Sequence, residues 1–114
     1  MMRRSRLAIL ALLLVLLAAC GIEVPPAKAD YVGRWQADGM SLLILRDGSV
    51  SYQRLRKGAS IRINGPLQAF HGDDFEVGIG PMKTVFRVSS PPREIDGSWR
   101  MTVDGVELTR TPRR

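Results

Sequence analysis

Asp104-Gly105 sits between two runs in which apolar and polar residues alternate, and no other feature limits the possible folds as much. Asp-Gly between such runs is the strongest local signal for a two-residue type I′ hairpin. With that loop, Val103 faces Val106, Met101 faces Leu108 and Trp99 faces Arg110, all six on one face. Arg100, Thr102, Glu107 and Thr109 fall on the other. A slip of one residue would turn every apolar side chain to solvent, so the register is well specified. Arg110 beside Trp99 is placed for a cation–π contact that closes the domain.

The chain upstream reads the same way. No apolar run of useful length has a helical period, and glycine and Asp-Gly break the sequence into short segments. Strands are predicted at 31–37, 41–46, 49–56, 60–70, 75–79, 82–88, 97–103 and 106–110, the fourth bent or broken at Asn64-Gly65-Pro66. Eight short strands at this spacing predict an all-β fold, a small antiparallel barrel or sandwich. Such a barrel has roughly 24 interior positions and is just wide enough to be filled by side chains. From Tyr31 onward there are 28 Val, Ile, Leu, Met, Phe, Trp and Tyr residues, enough to fill it.

Asp47-Gly48 predicts a second two-residue hairpin, pairing Leu45 with Val50 and Leu43 with Tyr52. Leu42 and Ile44 then lie on the opposite face beside Ser51 and Gln53. They are expected either beneath a neighbouring segment or on a surface that contacts a partner.

The amino terminus is an address. Arg3, Arg4 and Arg6 precede an apolar run over residues 7–19, which is 13 residues long. A basic segment followed by such a run is the form of a secretory signal peptide, and a membrane-spanning helix needs about 20. The run ends Leu17-Ala18-Ala19-Cys20, which resembles the bacterial lipobox: leucine, two small residues, then the cysteine that carries lipid. The resemblance implies removal of residues 1–19 and a thioether-linked diacylglycerol on Cys20, usually with a further acyl chain such as palmitate on the new amino terminus. Gly21 stands where aspartate favours inner-membrane retention in such lipoproteins, which implies the periplasmic face of the outer membrane. Residues 20–30, with Pro25 and Pro26, read as a lipidated tether, 31–110 as the β-domain and 111–114 as a basic tail.

Gly33-Arg34-Trp35 opens the first predicted strand. A Gly-x-Trp there resembles lipocalins, fatty-acid-binding proteins and avidins, and in lipocalins a basic residue near the last strand crosses the tryptophan. Arg110 matches that residue. The likeness covers three residues and one arginine, and the chain is shorter than a usual lipocalin. It implies a binder of a small apolar ligand. The other reading is a tryptophan that plugs one end of a small β-domain.

Composition narrows the chemistry. The formal charge is +6, but removing residues 1–19 takes Lys plus Arg from 17 to 14 against 11 acids, leaving +3. Nucleic acid is therefore not an expected partner. The single cysteine forms no internal disulfide, and the single histidine excludes a multi-histidine metal site within one chain. His71-Gly72-Asp73-Asp74 has acid–base character but the composition of a turn. No Gly-x-Ser-x-Gly elbow is present, Gly78-Ile79-Gly80 lacks the rest of a dinucleotide loop, and Ser89-Ser90-Pro91-Pro92-Arg93 reads as a stiff loop. The expectation is a non-enzymatic, cofactor-free module, anchored to the membrane through its N-terminal lipid and contacting another envelope protein. The alternatives are a lipocalin-like carrier and an inhibitor of a cell-wall lytic enzyme.

Overall fold

In a computed structural model, residues 21–112 are described. The signal segment, Cys20 and the end of the basic tail lie outside them. The fold is all-β, a single curled antiparallel sheet of nine strands with the shape of a half-barrel. The strands are β1 (Gly33–Ala37), β2 (Met40–Ile44), β3 (Ser49–Arg56), β4 (Ala59–His71), β5 (Asp74–Ile79), β6 (Met82–Phe86), β7 (Val88–Ile95), β8 (Ser98–Val103) and β9 (Val106–Arg110). Their order in the sheet is β6-β5-β4-β3-β2-β1-β9-β8-β7. Neighbours in sequence are neighbours in space, except that β9 returns to pair with β1, and Arg87 alone carries the chain from one edge strand, β6, to the other, β7.

The final hairpin has the predicted register. Val103 pairs with Val106 and Met101 with Leu108, across a turn in which Asp104 and Gly105 have φ of 47° and 80°. Met101, Val103 and Leu108 are buried, while Glu107 and Thr109 on the other face are exposed.

The hairpin at Asp47-Gly48 differs by one residue from the predicted register. Ile44 pairs with Val50 and Leu42 with Tyr52. Only Gly48 has positive φ, Gly48 N–H donates to the Leu45 carbonyl, and Ser49 N–H donates to Asp47 Oδ1. This is a three-residue loop of type I turn plus glycine, not a I′ turn. The slip exchanges the faces. Leu42 and Ile44 are 0% and 1% exposed and belong to the core, so they form no partner surface. Leu43 and Leu45 point outward instead. The cause lies in β1, where Trp35 pairs with Leu42 and so holds it on the inner face.

Two other segments depart from expectation. Residues 88–95 form a strand that takes in the loop predicted at 89–93 and pairs with β8 through two register shifts at the serines and prolines. Proline lacks an N–H but is tolerated on an edge strand and at bulges, and β7 is both. Residues 21–30, the described part of the segment read as a tether, pack onto the sheet, and Tyr31, read as the start of the first strand, belongs to the helix that precedes it. Ile22 N–H donates to the Leu67 carbonyl and Val24 N–H to the Arg46 carbonyl, and a 3-10 helix, Pro26–Tyr31, follows. Pro26 suits the first helical turn, where its missing N–H has no partner to lose.

That helix is clasped by the turn at His71-Gly72-Asp73-Asp74. Lys28 Nζ donates to the Gly72 carbonyl at 2.8 Å and lies 3.6 Å from Asp73, and Tyr31 Oη donates to the Asp73 carbonyl. Burial, then the carboxylates of Asp73 and Asp74, push the Tyr31 phenol from about 10 up to about 12. The neutral phenol is the form the fold favours. Its contribution is therefore fully present below about pH 10 and lost as pH rises towards about 12. Thermal melts across that range should show the decline in the wild type and a flatter profile in Tyr31→Phe. Equal slopes would mean the phenol is not held neutral.

The interior is filled. Among the described residues, fifteen apolar and aromatic residues form the buried core, and no charged residue is buried. Phe86 stacks on Phe75 at 5.0 Å and meets the edge of Tyr52 at 4.9 Å, so aromatic rings occupy the middle of the curl.

Candidate binding cleft

The strand β4 changes partners half-way. Residues 59–66 pair with β3, and the ladder to β5 begins only at Leu67. The change falls at the predicted bend, Asn64-Gly65-Pro66, where Pro66 has no N–H to offer a further partner. Beyond this corner the β3–β4 and β5–β6 hairpins diverge, and a cleft of about 480 Å³ opens between them. Ile63, Val77, Ile79, Pro81 and Met82 line its apolar part, with Arg62, Asn64 and Lys83 at the rim. Inward-facing Ile63 and outward-facing Arg62 and Asn64 both reach it, so the cleft exposes the edge of β4 rather than one face.

Local sequence explains the divergence. Gly78 has φ of 139°, and a Cβ there would lie 2.0 Å from the Met82 carbonyl oxygen. Only glycine lets β5 and β6 approach so closely at that point, and Gln68 Nε2 caps the Gly78 carbonyl at 2.6 Å. The apolar side chains beyond the corner stay in solvent: Met82 is 80% exposed, and Leu55, Ile61 and Ile79 are exposed as well.

The electrostatics are one-sided. No acid occurs between Asp47 and Asp73, or between Glu76 and Glu94, whereas Arg54, Arg56, Lys57, Arg62 and Lys83 do. Among the described residues the first four form no ion pair. Glu76 pairs with the cleft-lining Lys83 and with His71: His71 Nε2 lies 3.0 Å from its carboxylate and Lys83 Nζ 3.5 Å. The His71 hydrogen bond, with help from Lys83, holds this carboxyl below the usual range.

At the other end of the sheet Arg110 lies between two tryptophans, 4.7 Å above the Trp99 ring and 5.6 Å from that of Trp35. Gly33 leaves room for it, since a Cβ there would meet the Arg110 side chain at 2.7 Å. Trp35 is buried, its Nε1 donating to the Tyr31 carbonyl. A second cleft of about 490 Å³ lies beside Arg110, but Glu23, Asp30 and Arg46 line it as well, so its charge is mixed. Among the described residues no group of three or more His, Cys, Asp or Glu is placed to hold a metal ion. None of their helices is long and apolar enough to cross a membrane.

Of the residues singled out in the sequence, Cys20 lies outside the described part, and Leu42 and Ile44 are core. The cleft was missed, although both its landmarks, the Asn64-Gly65-Pro66 bend and the Gly78–Pro81 strand end, were visible. Comparison with family models, with curated proteins and with solved structures finds no match to this chain.

Proposed function

We propose that the chain is a lipid-anchored periplasmic protein that binds another envelope protein through its β-domain and has no enzymatic activity. The observation that carries this is the contrast between a core packed with apolar side chains and an open cleft of apolar and cationic character on the outside. A carrier of a small apolar molecule needs room inside the curl, and aromatic rings take that room. A module that docks a partner needs an external surface of mixed apolar and charged groups. Arg110 over Trp35 then closes the end of the sheet rather than gating a ligand.

The location rests on the sequence: the basic start, the 13-residue apolar run and the Leu17-Ala18-Ala19-Cys20 motif. On this reading Cys20 carries the lipid and the outer membrane is the destination. Cys20→Ala should abolish incorporation of a clickable fatty acid in cells and leave uncleaved precursor or unanchored protein. Equal labelling of wild type and variant would overturn the anchor.

A further inference from the structure

We infer that the cleft between the two hairpins takes up an extended, acidic and apolar segment of a partner protein as an added strand along residues 59–64 of β4. Among the described residues these six pair with β3 on one side and with no strand on the other. An unpaired strand edge is a template for another chain, and proteins normally guard it with proline, bulges or brevity. Here the other edges are guarded: β7 carries Pro91, Pro92 and two register shifts, and β6 is five residues long and follows Pro81. Residues 59–64 contain no proline and run in regular register with β3. Six residues match a typical strand.

The side chains specify the guest. A strand laid along this edge alternates its side chains between two environments. On the inward side it meets Ile61, Ile63, Ile79 and Met82, which suit valine or isoleucine. On the outward side it meets Arg62 and Lys83, which suit aspartate or glutamate, while Arg54 and Arg56, nearer the hairpin tip, share the inward face with Ile61 and Ile63. Main-chain hydrogen bonds supply affinity and the alternate side chains supply specificity, as in other cases of strand addition.

Geometry favours a protein over the membrane that would hold the anchor, and this step rests on the lipidation reading above. A Cβ on Gly21 would touch Pro66 and the Leu67 carbonyl, and Ile22 crowds Gly48, so Gly21, the first described residue, sits at the Gly48 end of β3. The Lys57-Gly58 tip is at the other end of that strand, roughly 23 Å away for eight residues. Because Gly21 is held against that end of the sheet, a lipid on the preceding residue would leave the basic hairpin at the far end from the bilayer.

The test uses the full chain in a non-ionic detergent and a fluorescein-labelled peptide, about eight residues long, that alternates glutamate and valine. Anisotropy should show saturable binding, about tenfold weaker in Arg62→Glu and restored in Arg62→Lys. A peptide of equal charge with proline in place of alternate valines should bind about tenfold more weakly, because proline cannot pair. Hydrogen exchange at residues 59–64 should slow when the first peptide is added. Four results would overturn the inference: no saturable binding, equal binding of the proline peptide, a dimer that already protects these amides, or Arg62-dependent binding to phosphatidylglycerol vesicles without peptide binding. The peptide readout does not involve the acyl chain, so it and the Cys20 labelling experiment fail independently.

Discussion

Replacing Leu42 and Ile44 together by threonine is expected to remove about 4–6 kcal/mol of stability, most of what a domain of this size possesses. Both side chains are within 1% of full burial, and they meet Trp35, Val50 and Tyr52 across the ladders. Each change deletes methyl groups from a packed site and leaves a hydroxyl with no partner among apolar neighbours, at about 2–3 kcal/mol per position. Leu43 and Leu45, one residue along and on the opposite face, supply the control. The same double change there should cost within about 1 kcal/mol. Urea titrations followed by tryptophan fluorescence give both values. The reverse ranking would restore the two-residue hairpin and put Leu42 and Ile44 back on the surface.

Trp35→Ala is expected to be nearly as damaging, at about 3–5 kcal/mol. The ring is fully buried, Arg110 lies over it, and its Nε1 satisfies the Tyr31 carbonyl. Truncation opens a cavity where β1, β2 and the 3-10 helix meet and leaves that carbonyl unpaired. Trp99→Ala, at the half-buried ring on the other side of the same guanidinium, should cost about 1–2 kcal/mol. Chemical denaturation of the two variants separates them. Similar losses would mean that the arginine sandwich, rather than the buried ring, holds that end of the sheet together.

The legible part of the fold was whatever local chemistry decides. Asp104-Gly105 gave the correct register because the residues on both sides of it split cleanly into an apolar and a polar face. Asp47-Gly48 misled because either register of that hairpin puts two apolar residues of the preceding strand beside Val50 and Tyr52. The tie is broken one strand earlier, by Asp38-Gly39. A two-residue loop there pairs Ala37 with Met40 and Trp35 with Leu42, and the tryptophan then decides which leucines go in. The strand at Val88–Ile95 was hidden by its prolines, which mark an edge as readily as a loop. Asp96-Gly97 signalled it all the same, with φ of 52° and 82°, and Ile95 paired with Ser98. The cleft was not legible at all. It depends on β4 pairing with different neighbours along its two halves: Asn64-Gly65-Pro66 marks where the strand bends, but no local pattern states that the bend is an exchange of partners.

The order of the strands also sets the order of assembly. Seven of the eight ladders join strands adjacent in sequence, so each can form from a short hairpin without waiting for the rest of the chain. The eighth brings Trp35 to Arg110, across 75 positions. Loop entropy makes that seam the slow step, since its cost must be met before its contacts reward it. Synthesis on the ribosome reinforces this, because β9 emerges last. Both tryptophans lie at the seam on either side of Arg110, so the chain carries its own fluorescent reporter of the moment at which the sheet curls shut.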